Sequence, residues 1–362
     1  MTSPSILQIS KIGFPWATLD PFLFCVYHED AYPRGNAVLG PDASLNGRNL
    51  GQDFSGKDGW RMYHGRTVPG FPAHPHRGFE TVTIMRSGYI DHADSLGAAA
   101  RFGRGDVQWL TAGNGIVHSE MFPLLKSREP NPLELFQIWL NLPKRSKLAQ
   151  PYFTMLWAED IPRQVISDPT GAVTEVTYIA GAPSPTAPGK SQLPPPDSWA
   201  SDPAADLAIW TIRMSADAHW TLPAATTPSP RRTLYFFKGD ALAIDGQAIA
   251  VRSAIEVDAG QPLQIVNGAV PSELLMLQGR PIGEPVAQHG PFVMNTEQEL
   301  RQAYADYHRT HFGAWPWPDE APVHGADRGR FARHADGRLE SRDHQGSTSS
   351  MTNTLPGAAG GR

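Results

Sequence analysis

Short hydrophobic runs separated by turn residues fill most of this chain. The run from Phe79 to Met85 (FETVTIM) is rich in β-branched and aromatic residues, and it stops at Arg86-Ser87-Gly88. Residues Tyr89 to His92 can then pair back as the second strand of a hairpin. Gly (34 residues) and Pro (34 residues) recur along the 362-residue chain, which favours many short strands over long helices. The pattern predicts an all-β protein built as a barrel or a sandwich.

Further strands of this kind continue through the first part of the chain. Strands are predicted for Val107 to Thr111 and for Ile116 to Met121, with the turn Gly113-Asn114-Gly115 between them. Leu135 to Leu142 gives another strand, which ends at a proline and is followed by a basic segment. We therefore predict a first domain over residues 1–143.

The second half repeats the β character and closes with a helix. The pattern predicts this helix over about residues 296–311, from a capping-box-like start at Asn295 and Gln298 to Gly313. The second domain is therefore predicted over residues 144–318. Its predicted strands are Leu207–Met214, Thr233–Lys238, Ala241–Ile244, Ala254–Val257, Leu263–Val266 and Leu274–Gln278.

Three segments carry no such periodicity. Residues 27–68 are rich in Gly and Asn and are interpreted as a surface insertion between strands, with a lid over a site as the alternative. Residues 182–203 are rich in Pro and Ser and are predicted to form a long loop. Residues 319–362 are polar and end in QGSTSSMTNTLPGAAGGR, which buries too little apolar area to offset its ordering entropy. A disordered tail is predicted there.

Composition narrows the classes of partner and the compartment. The formal net charge is -5 and the Lys and Arg residues are scattered, which argues against direct nucleic-acid binding. Cys25 is the only cysteine, so an intrachain disulfide and cysteine-rich zinc modules are excluded. No stretch approaches the length of a membrane span. The expectation is a cytoplasmic protein that does not bind membranes and whose partners are small molecules or other proteins.

Two pairs of candidate metal ligands are the most informative feature of the sequence. These are His74-Pro75-His76, just ahead of the predicted strand at Phe79, and His118-Ser119-Glu120, within the predicted strand from Ile116 to Met121. Alternate residues of a strand share a face, so two facing strands would present three imidazoles and one carboxylate to a single point. This donor set suits Fe, Mn, Co, Ni, Cu or Zn, and the mixture favours iron. Ordinary histidines or a closed structural zinc site are the alternatives.

The sequence indicates less specific roles for three polar residues near the candidate ligands. Arg77 can bind an anionic group of a substrate or pair with a surface carboxylate. Gln108 and Asn114 are candidates for orienting a ligand histidine, and a turn role is favoured for Asn114.

Three motifs resemble the pirin family of the cupin superfamily. They are FPAHPHRGFETVT at 71–83, GDVQWLTAGNGIVHSEM at 105–121 and GPFVMNTEQEL at 290–300. The resemblance implies two stacked β-barrel cupin (jelly-roll) domains. It also implies that the first domain holds one divalent metal, most readily Fe(II), through the positions of His74, His76, His118 and Glu120. Glu80, which stands where other cupins carry a ligand, is not one in pirins. The second domain offers only the isolated His219 and is expected to be metal-free.

The resemblance implies two different functions. The first is a quercetinase-like dioxygenase that opens flavonols such as quercetin with O2 and releases CO, with Glu120 as the catalytic base. The second is a non-catalytic, iron-binding redox sensor that regulates protein partners. A metal-dependent isomerase or oxidase of the wider cupin group is a third reading. The complete ligand set favours the dioxygenase, because a substrate-binding metal needs all four residues.

Overall fold

The computed structural model describes residues 5–181, 193–227 and 230–343. These ranges consist of short antiparallel strands, 3-10 turns and a single α-helix, so the predicted all-β class is confirmed. Part of the predicted loop at 182–203 lies outside the described residues. Its last residues contain 3-10 turns at Trp199–Ser201 and Pro203–Ala205.

Strands of the first half are joined by tight turns and two further 3-10 turns, Lys57–Gly59 and Lys144–Ser146. In chain order the strands are β1 (Ile6–Lys11), β2 (Trp16–Ala17), β3 (Phe22–Tyr32), β4 (Gly70–His76), β5 (Phe79–Ser87), β6 (Tyr89–Asp94), β7 (Ala99–Gly103), β8 (Val107–Thr111), β9 (Ile116–Met121), β10 (Asn131–Asn141) and β11 (Tyr152–Leu156).

The second half supplies the remaining strands and the helix. They are β12 (Arg163–Ser167), β13 (Val173–Ala180), β14 (Ala208–Met214), β15 (His219–Leu222), β16 (Arg231–Lys238), β17 (Ala241–Ile244), β18 (Gln247–Ala250), β19 (Ser253–Val257), β20 (Leu263–Asn267), β21 (Ser272–Gly279), β22 (Ala287–His289), β23 (Phe292–Met294), α1 (Glu297–Thr310), β24 (Phe331–Arg333) and β25 (Leu339–Ser341).

Two six-stranded sheets face each other in the first barrel. The sheet that carries the candidate ligands, called the ligand sheet below, has the order β25-β24-β7-β6-β9-β4. The other, the facing sheet, has the order β11-β8-β5-β10-β3-β2. In β10, Leu135 points into the barrel, whereas Phe136 and Ile138 point away from it and pack on the second domain. The facing sheet is therefore buried on both faces, which explains its nearly continuous hydrophobic runs.

The second barrel is built in the same way. A seven-stranded sheet with the order β1-β19-β16-β21-β14-β13-β12 packs on the four-stranded sheet β15-β20-β17-β18. Aromatic residues join the two barrels, and Trp16 stacks on Tyr235 with ring centroids 5.3 Å apart. The pair β22-β23 and α1 pack on the first barrel, where Phe292 bridges to Arg77 and Val293 joins Phe79 and Trp139.

The sheets do not follow the predicted domain boundary at residue 143. Strand β1 lies within the predicted first domain but pairs with β19 of the second barrel. Strand β11 lies after the boundary but pairs with β8 of the first barrel. Each of these strands covers an edge that would otherwise expose unpaired backbone groups. The hydrophobic pattern of a strand does not reveal which edge it will cover.

The predicted insertion at 27–68 packs as part of the first domain. Its first residues complete β3, and the rest forms a loop anchored by Arg48. The Arg48 guanidinium donates to Asp53 Oδ2 at 2.9 Å and lies 3.3 Å from the centroid of the Trp60 ring. Both members of the ion pair are buried. A lid movement of this segment stays a prediction.

The N-cap of helix α1 lies one residue after the predicted cap, Asn295. Thr296 is the N-cap, and its hydroxyl accepts a hydrogen bond from the Glu299 N–H at 3.2 Å. The Glu299 carboxylate accepts in turn from the Thr296 N–H at 3.0 Å, so the capping box uses these two residues and not Asn295 with Gln298. Every helix in the described ranges is too short or too polar to cross a membrane.

Residues 319–343 form an ordered strap, which corrects the prediction of disorder from residue 319. The strap starts beside β4, where the carbonyl of Glu320 accepts from the Ala73 N–H at 2.7 Å. It ends as β24 and β25, which extend the ligand sheet beyond β7. Composition is a poor guide here because backbone pairing and ion pairs, rather than apolar area, hold the strap. Residues 344–362 lie outside the described residues.

A buried ion pair on the outer face of the ligand sheet binds the strap. Asp91 and Arg101 are neighbours in the β6–β7 register, and both are fully buried. Arg101 donates twice to the Asp91 carboxylate, at 2.7 Å each. It donates three more hydrogen bonds to the strap carbonyls of His324, Gly325 and Arg328. All five N–H groups of the guanidinium are therefore used.

We expect Arg101→Met to lower the free energy of unfolding by about 3–5 kcal/mol, because it leaves the Asp91 carboxylate buried without its partner. The matched control is Arg338→Ala in the same strap, where the arginine side chain is 51% exposed and pairs with Glu340. This control should cost at most about 1 kcal/mol. Urea unfolding measures both, and hydrogen exchange in residues 319–343 should accelerate only in the Arg101 variant. Equal costs would contradict the account.

Candidate metal centre

Both predicted ligand pairs lie on neighbouring strands of the ligand sheet. Strand β4 carries His74 and His76, and β9 carries His118 and Glu120. The two strands are antiparallel, and their register places His74 opposite His118. Because alternate residues share a face, all four side chains belong to the face that lines the first barrel.

Three imidazoles form a compact cluster in this barrel. One ring nitrogen from each of His74, His76 and His118 lies within 4.8 Å of the other two. The three ring centroids are 4.5 to 4.9 Å apart. One nitrogen of each ring could therefore hold a divalent metal ion, for which imidazole is a usual ligand.

The hydrogen bonds of the rings leave nitrogens available to a metal. His74 Nδ1 lies 2.8 Å from the carbonyl oxygen of Pro72, so this nitrogen carries the proton and Nε2 keeps its lone pair. Both ring nitrogens of His118 and Nδ1 of His76 are buried and have no hydrogen-bond partner among the described residues. Buried polar atoms are normally paired, and a bound metal ion would satisfy one nitrogen of each of these two rings.

Burial also keeps the rings in the form that binds metals. Desolvation lowers the pKa of His74 to about 4. It lowers the pKa of His76 and of His118 well below the ordinary value, and each ring is further disfavoured as a cation by its histidine neighbours. All three imidazoles are therefore neutral near pH 7, and the neutral ring is the ligating form.

Glu120 lies at the edge of the cluster. Its Oε2 is 3.8 Å from His118 Nε2 and accepts a hydrogen bond from Gln137 Nε2 at 2.8 Å. Its Oε1 is buried and has no partner among the described residues. Burial raises the pKa of this carboxyl group, and His92, Gln137 and Thr83 oppose the rise. The structure thus gathers the three histidines and sets the carboxylate beside them, while the four-ligand set remains a prediction.

Aromatic rings surround the cluster. The ring of Trp139 stacks on Phe79 with centroids 3.9 Å apart and meets His76 edge-on at 5.3 Å. On the other side, the ring of Phe71 lies 6.3 Å from that of His74. Such walls suit a flat aromatic ligand, which buries its faces against them.

The other polar candidates from the sequence have separate roles. Arg77 donates to Asp306 of α1 at 2.8 Å and to the carbonyl of Asn114 at 2.8 Å, so it ties the helix to a turn and its guanidinium is engaged there. Asn114 lies in that turn, in agreement with the turn role that the sequence favoured for it. Gln108 is 1% exposed, and neither polar atom of its side chain has a partner among the described residues.

Glu80 points away from the cluster, towards the second domain. Its carboxylate accepts hydrogen bonds from the hydroxyls of Thr111 and Ser198, at 2.6 Å each. Residue parity explains the difference from Glu120, because Glu80 lies on the outer face of the facing sheet. Burial raises its pKa to about 7.

Sequence reasoning missed two residues beside Glu120. His92 lies opposite Glu120 in the β6–β9 register, and its ring centroid is 5.5 Å from that of His118. Gln137 belongs to the facing sheet and reaches across the barrel to the carboxylate. The parity of β6 could have pointed to His92, since Tyr89 to His92 was already predicted as a strand. No local pattern marks Gln137.

The fold and the site define a two-barrel cupin protein with an imidazole cluster in its first barrel. The sequence profile of the Pirin family matches residues 16–140, and that of the pirin C-terminal cupin domain matches residues 209–313. The chain belongs to the pirin family. The strap lies beyond both matched ranges.

Several relatives are identical to this chain at about a third of the aligned positions. A Pirin-like protein of Solanum lycopersicum is 35% identical over 241 residues, which cover 66% of this chain and 75% of the relative. A Pseudomonas aeruginosa protein that carries the provisional name quercetin 2,3-dioxygenase is 34% identical over 243 residues, with 67% and 79% coverage. Pirin of Homo sapiens is 32% identical over 262 residues, with 68% and 78% coverage.

Solved structures support the fold. The crystal structure of a quercetin 2,3-dioxygenase from Acinetobacter baumannii superposes with a TM-score of 0.66 at 24% identity. The superposition covers 86% of this chain and 98% of that one. At this identity the likeness establishes the two-barrel architecture alone.

The buried Glu80 predicts a pH-dependent term in stability. In the folded protein its carboxyl holds a proton up to about pH 7, whereas the ordinary value is 4.5. The folded state thus binds more protons than the unfolded state within this window, so stability falls as pH rises through it. Glu80→Gln should remove that fall. Urea unfolding of both proteins at about pH 5 and about pH 8 tests this. Parallel pH dependences would contradict it.

Proposed function

We propose that this protein is a metal-dependent dioxygenase that opens flavonols such as quercetin with O2 and releases CO. One observation carries the proposal: three neutral imidazoles, two of them buried with unpaired nitrogens, converge beside a carboxylate whose Oε1 is also unpaired. Such a set suits an ion that binds four protein ligands and still has positions for a substrate. The names of the bacterial relatives support the reaction class.

His74, His76, His118 and Glu120 would hold one divalent ion. Iron(II) suits this mixture of nitrogen and oxygen donors best, and Mn, Co, Ni, Cu and Zn fit the same donors. When bound, the ion supplies Lewis acidity that favours the ionised flavonol and places it near O2.

The chain itself supplies proton transfer, orientation and exclusion of water. Glu120 Oε1 is the atom that would take the proton of the flavonol hydroxyl. Burial raises the pKa of this carboxyl, which makes it a better base than an exposed glutamate. The rings of Phe71 and Trp139 would orient the flat substrate and keep water from it.

The activity is tested by measuring O2 uptake and CO release from quercetin, with protein loaded anaerobically with Fe(II). The wild type should consume O2 and release CO in equal amounts. The double variant His74→Ala/His118→Ala should bind no metal and do neither, which also controls for oxidation by free iron. If metal-loaded wild type gives neither signal, the dioxygenase proposal fails, and the iron-sensing regulator or another cupin reaction takes its place.

The role of Glu120 is tested by Glu120→Gln, which keeps the shape but removes the base. We expect most of the bound metal to remain and kcat to fall by about 10²–10⁴-fold, the usual contribution of a general base. The matched control is Glu80→Gln, the same substitution at a buried glutamate. Glu80 lies on the outer face of the facing sheet and points away from the imidazoles. The Glu80 variant should leave kcat within about twofold. Unchanged turnover in the Glu120 variant would remove Glu120 from this role.

A further inference from the structure

We infer that Gln137 is the positioning residue of Glu120: its side-chain amide holds Oε2, the oxygen 3.8 Å from His118 Nε2, so that Oε1 is left to take the substrate proton. The inference rests on the role proposed above for Glu120. It concerns a residue on the facing sheet, across the barrel from the ligand pairs.

Gln137 belongs to a polar row on the inner face of the facing sheet. Thr83 lies opposite Gln137 in the β5–β10 register, and Gln108 lies opposite Thr83 in the β5–β8 register. These three side chains therefore cross the inner face of three adjacent strands. Leu135 and Met85 form the next row on that face and belong to the apolar core. Polar residues in such a place cost stability unless they have a partner, so a role at the site accounts for them.

One hydrogen bond joins this row to the ligand sheet. Gln137 Nε2 donates to Glu120 Oε2 at 2.8 Å. An ionised carboxylate only accepts hydrogen bonds, so the amide must present its NH2 group and not its oxygen. Hydrogen bonds to a charged group are the stronger kind and fix geometry as well as energy.

The hydrogen bond makes the two oxygens of Glu120 unequal. Oε2 is held, whereas Oε1 is buried and has no partner among the described residues. Oε2 is also the oxygen that lies 3.8 Å from His118 Nε2, so it would reach a metal ion among the imidazoles and leave Oε1 for the substrate proton. Without Gln137 the carboxylate could rotate about its terminal torsion, which has a broad and roughly two-fold preference. Either oxygen would then face the imidazoles.

Gln137 is more accessible than the carboxylate that it holds. It is half-buried, as is His74, whereas Glu120 and His118 are buried. Replacing a half-buried side chain by one of similar size opens no cavity in the core.

The test uses Gln137→Met, which has similar length and shape but cannot donate a hydrogen bond. Its matched control is Gln164→Met, at a half-buried glutamine of β12 in the second barrel. The side-chain oxygen of Gln164 accepts a hydrogen bond from the Tyr178 hydroxyl at 2.7 Å. A second variant, Gln137→Asn, keeps the amide but is one methylene too short to reach Glu120. Thermal unfolding checks that all three variants fold.

The first readout is the electron paramagnetic resonance spectrum of each protein loaded with Co(II), which requires bound metal but no turnover. Both Gln137 variants should show an altered or split spectrum, because the carboxylate has lost its fixed orientation. The Gln164 variant should match the wild type. Wild-type spectra from both Gln137 variants would overturn the inference, even if no flavonol activity is found.

The second readout separates positioning from binding. In the Gln137 variants, kcat with quercetin should fall by about tenfold or more, the scale of a lost hydrogen bond to a charged group, while KM changes less. If the wild type is inactive but the spectra change as expected, the proposed reaction fails and the positioning role stands. Unchanged kcat in an active enzyme would contradict the role in turnover.

Discussion

The pairing of β4 with β9 is the constraint on which the site depends. Its register places His74 opposite His118, and the alternation of side chains adds His76 and Glu120 to the same face. If either strand slipped by one residue, its ligand pair would turn to the other face of the sheet. The imidazoles come together without help from loops, because hydrogen bonds between two adjacent strands fix their relative positions.

The rest of the first barrel supports this pair of strands from both sides. On the inner side, the facing sheet brings Gln137 to Glu120, and the second barrel buries the opposite face of that sheet. On the outer side, the strap covers the ligand sheet through the Arg101 and Asp91 ion pair. Sites held by packed strands keep their geometry better than sites on loops. The surrounding structure thus acts mainly to keep two strands in register.

Much of the site could be predicted because its information is local. Two short motifs, each within one strand, supplied the candidate ligands, and the resemblance to pirins separated Glu120 from Glu80. The contact of Gln137 with Glu120 could not be predicted, since it depends on how two sheets pack. The same limit applies to β1 and β11, which cross the expected boundary to fill open edges. The strap was missed for another reason: ion pairs and backbone pairing hold it, and composition reports neither.

The central claim is that the three imidazoles and Glu120 bind a single metal ion. Anomalous X-ray scattering from crystals of the metal-loaded protein tests it most directly. The account predicts one peak in the first barrel, about 2.0–2.2 Å from a nitrogen of each of His74, His76 and His118 and from a Glu120 oxygen. A peak elsewhere in the molecule, or a peak among the imidazoles with the Glu120 carboxylate out of contact, would contradict it.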